Sequence, residues 1–377
     1  MFPDRLEDKF PGARPTSIVR MRSPYESLPS NAFWRTGVVG QLPEAIDDLY
    51  RRKFPITRSS RIATAGSCFA QHISKHLQAR GFPVIDEEPP PPGLDARSAA
   101  QFGYGLYSAR YANIYTSRQL LQVASEACGR FCPADPVWEK ERRYYDAMRP
   151  SVEPEGLSSP ELVLDHRAHH LRQVLKVICS ADIFVFTLGL TETWTHGPSG
   201  TAYPTAPGTI AGSYDSAVHR FCNLTFRDVY DDMTSFFDLA KEQNPDIRFL
   251  LTVSPVPLTA TASGEHVLSA TIYSKSVLRA VAGQLFHERE NVDYFPSYEI
   301  ITGSLSKAKY FEANLRSVRA EGVEAAMSTF FAAHDAGAAV EKIEEGSRTK
   351  IPEAATISED SDDDVVCEEV LLEAFSE

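Results

Sequence analysis

The sequence predicts an α/β fold of three layers, with helices on both faces of a central, mostly parallel sheet. Its clearest sign is the stretch DIFVFTL at 182–188, apolar on both faces as a central parallel strand has to be. A second such stretch, IRFLLTV at 247–253, follows an amphipathic helix expected over 226–243. The third is RIATAGSCFAQHISKHL at 61–77, where a run of small apolar residues breaks at Gly66 and turns helical. From there Phe69, Ile73 and Leu77 recur every four residues.

At 377 residues the chain suffices for one large α/β domain or two small ones. Its 43% hydrophobic and 24% charged residues are ordinary for a globular protein with a core. The net charge of −13 gathers at one end. Beyond Lys350 there is no Lys or Arg but ten Asp and Glu, which leaves 38 basic against 41 acidic residues in the rest. That near balance lacks the basic face nucleic acid requires. Six cysteines without a Cys-x-x-Cys pair indicate neither a disulfide framework nor a zinc ribbon. No metal or resident cofactor is expected. The first residues hold no apolar signal segment, and no run approaches eighteen apolar residues. A cytoplasmic protein with reduced thiols and no transmembrane segment is expected.

In order along the chain, residues 1–55 read as an irregular, proline-rich arm in which Phe33 and Trp34 suggest packing on the body. The α/β domain is expected over 56–338. After the first strand and helix, 81–86 reads as a second strand, and the proline run 89–92 as neither helix nor central strand. Thr116 or Ser117 starts a helix to about Cys128, and WEKERRYYDAMRP within 137–150 reads as a hairpin or loop excursion. Ser159-Pro160-Glu161 is a helix start, and that helix runs to about Ser180. The segment 189–225, rich in Gly, Pro, Thr and Ser, is expected as a long loop. A helix over 266–290, a strand over 292–295 and a helix over 321–334 complete the domain. An acidic tail, 339–377, is expected to be disordered.

In open parallel sheets the ligand sits beyond the carboxyl ends of the strands. Residues 66–69, 189–194, 254–257 and those after Phe295 fall there. Ser67 and Cys68 stand before the free N–H groups of a helix, which lower a thiol's pKa or hold an oxyanion. On local pattern alone, Ser67 as a cap and Cys68 as a small buried residue serve equally.

The string Gly66-Ser67-Cys68-Phe69-Ala70 resembles the signature of the GSCFA-domain family, whose members look like distant relatives of the SGNH (GDSL-type) esterases and acyltransferases. The likeness covers most of 55–335. It continues through Thr187-Leu188-Gly189-Leu190-Thr191-Glu192, Thr252-Val253-Ser254-Pro255-Val256 and Tyr294-Phe295-Pro296-Ser297-Tyr298-Glu299. It implies an SGNH-hydrolase-like, flavodoxin-like version of the fold. SGNH enzymes place their nucleophile third in Gly-Asp-Ser, which falls on Cys68 here, with Ser67 as the alternative. A thiolate needs less help from a base than a serine does, and it suits thioester chemistry.

The Gly-x-Asn-Asp block of SGNH enzymes falls on Gly189-Leu190-Thr191-Glu192. The resemblance thus implies that Thr191 donates to an oxyanion and that Glu192 orients a base or binds a substrate hydroxyl. Asn113 is a candidate second donor, a turn residue being the even alternative. The Asp-x-x-His of the superfamily falls on Ala313-Asn314-Leu315-Arg316, so acid and base are both missing, while Arg316 could bind a phosphate or carboxylate. His266, at the head of a helix, is the first candidate base, with His219 and His196 behind it. His169 after Asp165 and His170 after His166 read as a solvated helix face rather than as metal ligands. Together these imply an esterase or O-acyltransferase acting on a glycan hydroxyl, with acyl-CoA as a possible donor. The alternative is a non-catalytic glycan-binding or polysaccharide-assembly protein of the same fold. The oligomeric state is not legible.

Overall fold

The computed structural model describes residues 23–335, except 45 and 47, together with 368–375. Contacts divide the chain into two units, Met1–Gln41 and Leu42–Glu377. The first holds a 3₁₀ turn at Ser30–Ala32 and a π-turn at Arg35–Val39.

The second unit starts its regular structure with β1 (Ile62–Gly66) running into α1 (Phe69–Ala79), as the residue spacing predicts. The expected strand at 81–86 shrinks to one parallel bridge between Ile62 and Val84. Pro83 within it and the prolines behind it remove the N–H donors a longer ladder needs. A short helix not foreseen, α2 (Ala96–Gln101), follows under an Asp95 cap. α3 (Ser117–Ala127) opens on a capping box between Thr116 and Gln119. β2 (Val137–Lys140) and β3 (Arg143–Asp146) form the expected hairpin, turned by Glu141 and Arg142 at positive φ. α4 (Pro160–Ser180) begins behind the Ser159 cap and leads to β4 (Ile183–Leu188).

The segment 189–225 corrects the sequence reading. It is not a plain loop but carries β5 (Glu192–His196), β6 (Thr201–Tyr203) and β7 (His219–Asn223) in an antiparallel sheet of order β6-β5-β7. Its strands are three to five residues long between turn-forming stretches. What holds them is cross-strand pairing, with Trp194 opposite both Tyr203 and Phe221. The chain then alternates through α5 (Phe226–Gln243), β8 (Arg248–Val253), α6 (Val267–Glu288), β9 (Val292–Tyr294), α7 (Ser297–Thr302) and α8 (Ala320–Asp335).

The central sheet is parallel throughout, in the order β1-β4-β8-β9. Alternate residues face opposite layers. Phe184, Phe186 and Leu188 pack with α3, α4, α5 and α6, whereas Ile183 and Val185 pack with α1, α7 and α8. The fold is therefore three-layer α/β/α. Each large apolar side chain so buried contributes about 1.5–3 kcal/mol. In the ladder Gly66 lies opposite Thr187 and Leu188 opposite Val253, so the strands end level and their following turns share one edge. The expected disorder of the tail falls mostly outside the described residues; Glu368–Phe375 forms a 3₁₀ helix. Among the described residues, no helix is long and apolar enough to cross a membrane.

Candidate functional site

The edge where the strands end is built around Gly66. Its φ is +141°, and a Cβ there would stand 2.6 Å from the Thr187 carbonyl oxygen and 2.8 Å from the Thr187 nitrogen. Only glycine lets β1 lie this close to β4 while turning. The turn is fastened at once, because the Ser67 N–H donates to the Thr187 carbonyl at 3.2 Å. Cys68 already has helical backbone angles and stands as the residue before α1, so both candidate nucleophiles fall between the last strand residue and the first helical turn. Both are buried, Ser67 at 3% and Cys68 at 5% exposure. Among the described residues, the Ser67 hydroxyl has no hydrogen-bond partner.

Asn113 is drawn to this turn by two routes. Ile114 N–H donates to the Gly66 carbonyl at 2.8 Å, behind an Ala112 held at positive φ. The Tyr107 hydroxyl lies 2.5 Å from Asn113 Oδ1 and 3.1 Å from the Ser67 carbonyl, and has one proton to share between them. Gln71, on the first turn of α1, also donates to Asn113 Oδ1 at 3.3 Å. These donors fix the amide so that Nδ2 is its donating end.

Gly189 closes the cluster from β4. A Cβ on it would meet Ser67 Cβ at 2.9 Å and the Tyr115 carbonyl at 3.0 Å. Its N–H and that of Leu190 both donate to the Tyr115 carbonyl, and the buried Lys275 Nζ donates to its carbonyl at 2.7 Å. The Thr191 hydroxyl donates to Asn223 Oδ1 at 2.6 Å, and the Thr191 N–H donates to Ser274 Oγ. That hydroxyl therefore ties the residue before β5 to the end of β7. Glu192 accepts from Thr261 Oγ1 at 2.7 Å, and burial raises its carboxyl above the ordinary range.

Each candidate base has a structural hydrogen bond of its own. His266 is exposed and caps α6, its Nδ1 accepting the Leu268 N–H at 3.1 Å. His196 Nδ1 is 2.8 Å from Ser199 Oγ, and His219 Nδ1 accepts the Asp215 N–H, so both secure turns beside the antiparallel sheet. Arg316 lies in a turn where Asn314 Oδ1 accepts the N–H groups of Arg316 and Ser317. Asp165, His166 and His169 are exposed as expected, but His170 is not. It is 1% exposed, with Nδ1 2.6 Å from Glu88 Oε2. Among the described residues, no three His, Cys, Asp or Glu converge as a metal site requires.

The edge thus brings together Gly66, Ser67, Cys68, Asn113, Gly189 and Thr191, with Tyr107, Gln71 and Lys275 as supports that sequence reasoning missed. A readable signal existed for His170. Among the buried positions of α4 are Val163, Arg167, His170, Val174 and Val177, a stripe of three- and four-residue steps in which an Arg and a His replace apolar residues. The family model described as the GSCFA family matches residues 61–330, which span every element from β1 to the body of α8. Among curated proteins, none matches the chain.

Proposed function

We propose that this chain, which belongs to the GSCFA family, is an esterase or O-acyltransferase acting on a carbohydrate hydroxyl, with Cys68, or Ser67, carrying the acyl group. The observation that carries this reading is the β1–α1 turn. A cysteine stands at the head of an eleven-residue helix, behind a glycine at which an added Cβ would come within 2.6 Å of the neighbouring strand. The Ala70 and Gln71 N–H groups are given to the Ser67 and Cys68 carbonyls, so it is the positive end of the α1 dipole that favours a thiolate and negative charge developing beside it. Under this reading the Cys68 sulfur attacks the carbonyl carbon of an ester or thioester such as acyl-CoA. The C–O or C–S bond of the donor breaks, its alcohol or thiol leaves with a proton, and a thioester remains on Cys68. A carbohydrate hydroxyl, or water, then attacks that thioester and restores the thiol. The positive end of α1 would stabilise the oxyanion in both steps, with Asn113 as the candidate side-chain donor.

The burial of Cys68 and Ser67 favours a second reading, a glycan-binding or polysaccharide-assembly protein that keeps the fold without the chemistry. Intact mass after incubation with acetyl-CoA or an activated ester separates the two. Wild type, Cys68→Ser and Ser67→Ala are compared side by side. An acyl adduct lost only in Cys68→Ser supports the thioester enzyme, and one lost only in Ser67→Ala moves the nucleophile to Ser67. No adduct in folded protein with several donors favours the binding reading.

A further inference from the structure

Cys68 opens α1 with helical backbone angles, so the geometry of the helix fixes its neighbours. Residues three and four positions apart on a helix adjoin, with about 5–6 Å between their Cβ atoms, and side chains lean back toward the helix start. The helix neighbours of Cys68 are therefore Gln71 and His72. Gln71 takes one flank, where its amide donates to the Tyr107 hydroxyl at 3.2 Å and to Asn113 Oδ1 at 3.3 Å. His72 takes the other.

His72 differs from the histidines already weighed as bases. His266, His196 and His219 each use a ring nitrogen to hold a cap or a turn. One turn further along α1, His76 sets its Nδ1 against the His72 carbonyl at 2.9 Å. Among the described residues, no hydrogen bond engages a ring nitrogen of His72. The ring is half-buried, with its centroid 5.7 Å from that of Phe69. Burial first, and then the charges of Lys75 and His76 on the same helix, lower it to about 4. At neutral pH it is thus an uncharged proton acceptor. From α8, the Glu324 carboxylate comes within 3.8 Å of His76 Nε2.

We infer that His72 takes the proton of the Cys68 thiol and is the base that the missing Asp-x-x-His does not supply. Its part in catalysis rests on the acyl-transfer reading; the exchange of the proton does not. The S–H bond breaks, the proton passes to the ring, and a thiolate then faces an imidazolium. With Cys68 buried, water screens the attraction within that pair weakly. In acylation the thiolate attacks the donor carbonyl carbon, and the imidazolium returns the proton to the departing alcohol or thiol. In the second half the ring takes the proton of the attacking hydroxyl and delivers it to the Cys68 sulfur as the thioester breaks.

The test is the rate at which iodoacetamide alkylates Cys68 in the full chain between pH 6 and 8, read on the Cys68 peptide by mass spectrometry. The wild-type rate is expected to change by no more than about threefold over that range, because the shared proton is not exchanged with solvent. In His72→Gln the rate should rise about tenfold per pH unit, as a lone thiol with a pKa of about 8.5 does, and at pH 7 should be at least about tenfold below wild type. His72→Gln is expected to keep the wild-type Tm; should it not fold, His72→Asn is read in the same way. His76→Gln is expected to behave as wild type. The inference fails if His72→Gln keeps the wild-type slope, whether or not its rate is lower, since a merely structural role lowers the rate without changing the slope. It fails equally if the wild type already shows the lone-thiol slope, or if the loss appears in His76→Gln instead. A level profile lost in His72→Gln, with no acyl adduct from any donor, keeps the pair and removes the acyl-transfer reading. An acyl adduct on Cys68 that forms as fast in His72→Gln as in wild type keeps that reading and removes His72.

Discussion

Single atoms decide whether the β1–α1 turn can exist. Gly66→Ala puts a methyl group 2.6 Å from a backbone oxygen at a φ that L residues rarely adopt, so both sterics and torsion oppose it. The backbone atoms it meets belong to a fully buried central strand and have nowhere to go. We expect a loss of about 3 kcal/mol or more, read by urea denaturation; a wild-type midpoint would mean the strands are not this close. Thr191 tests a different point. Its hydroxyl serves Asn223, so Thr191→Val is expected to cost about 1–2 kcal/mol through an orphaned Asn223 Oδ1. Acyl-adduct formation on Cys68 should survive in the folded fraction. A variant of unchanged stability that forms no adduct would return Thr191 to the oxyanion role.

At the scale of elements, the sequence made the local parts readable and hid the non-local ones. β4 and β8 were legible because burial on both faces writes itself as an unbroken apolar run. α1, α4 and α5 were legible from their spacing and their start signals. The three strands within 189–225 were not, because short antiparallel strands between Gly and Pro turns are specified by partners distant in sequence, such as Trp138 packing on Tyr203. The site divides the same way. Gly66, Ser67 and Cys68 lie on one contiguous strand–helix turn and could be read directly. Glu88 and His170 meet across 82 residues and could not. His266 carries a structural role that its position in the sequence also suggested. Its ring accepts the Leu268 N–H at the head of α6, so His266→Ala is expected to cost about 0.5–2 kcal/mol while His266→Asn restores most of it. A base would behave otherwise: both variants would stop acyl transfer without moving the thermal midpoint.

For the molecule as a whole, the buried histidines set how it meets acid. Burial, with nearby cations, lowers His72 and His170 to about 4 and His334 to about 3, from an ordinary value of 6.5. The geometry agrees for His334, since its Nδ1 accepts the Ile56 N–H and protonation would destroy that bond. An unfolded chain takes up protons at these rings below pH 6.5, whereas the folded chain takes them up only near pH 4 or below. The stability they permit is therefore complete above pH 6.5 and is lost as pH falls from there toward 4. For the fully buried His170 and for His334 the loss by pH 5 is on the order of 1 kcal/mol each. Glu88, held below its usual range because the His170 bond and charge and the Arg149 charge outweigh burial, adds a loss of the same sign at still lower pH. Asp232 and Asp293 oppose it, since burial raises both and the folded state then binds their protons first. Those two shifts are smaller than the shifts of the three rings and start from near 4, so between pH 6.5 and 5 the histidines prevail. Thermal denaturation in matched ionic strength should show a midpoint several degrees lower at pH 5 than at pH 7, with a shallower fall in His334→Gln. A midpoint that stays level or rises toward pH 5 would mean these rings are already protonated in the folded protein.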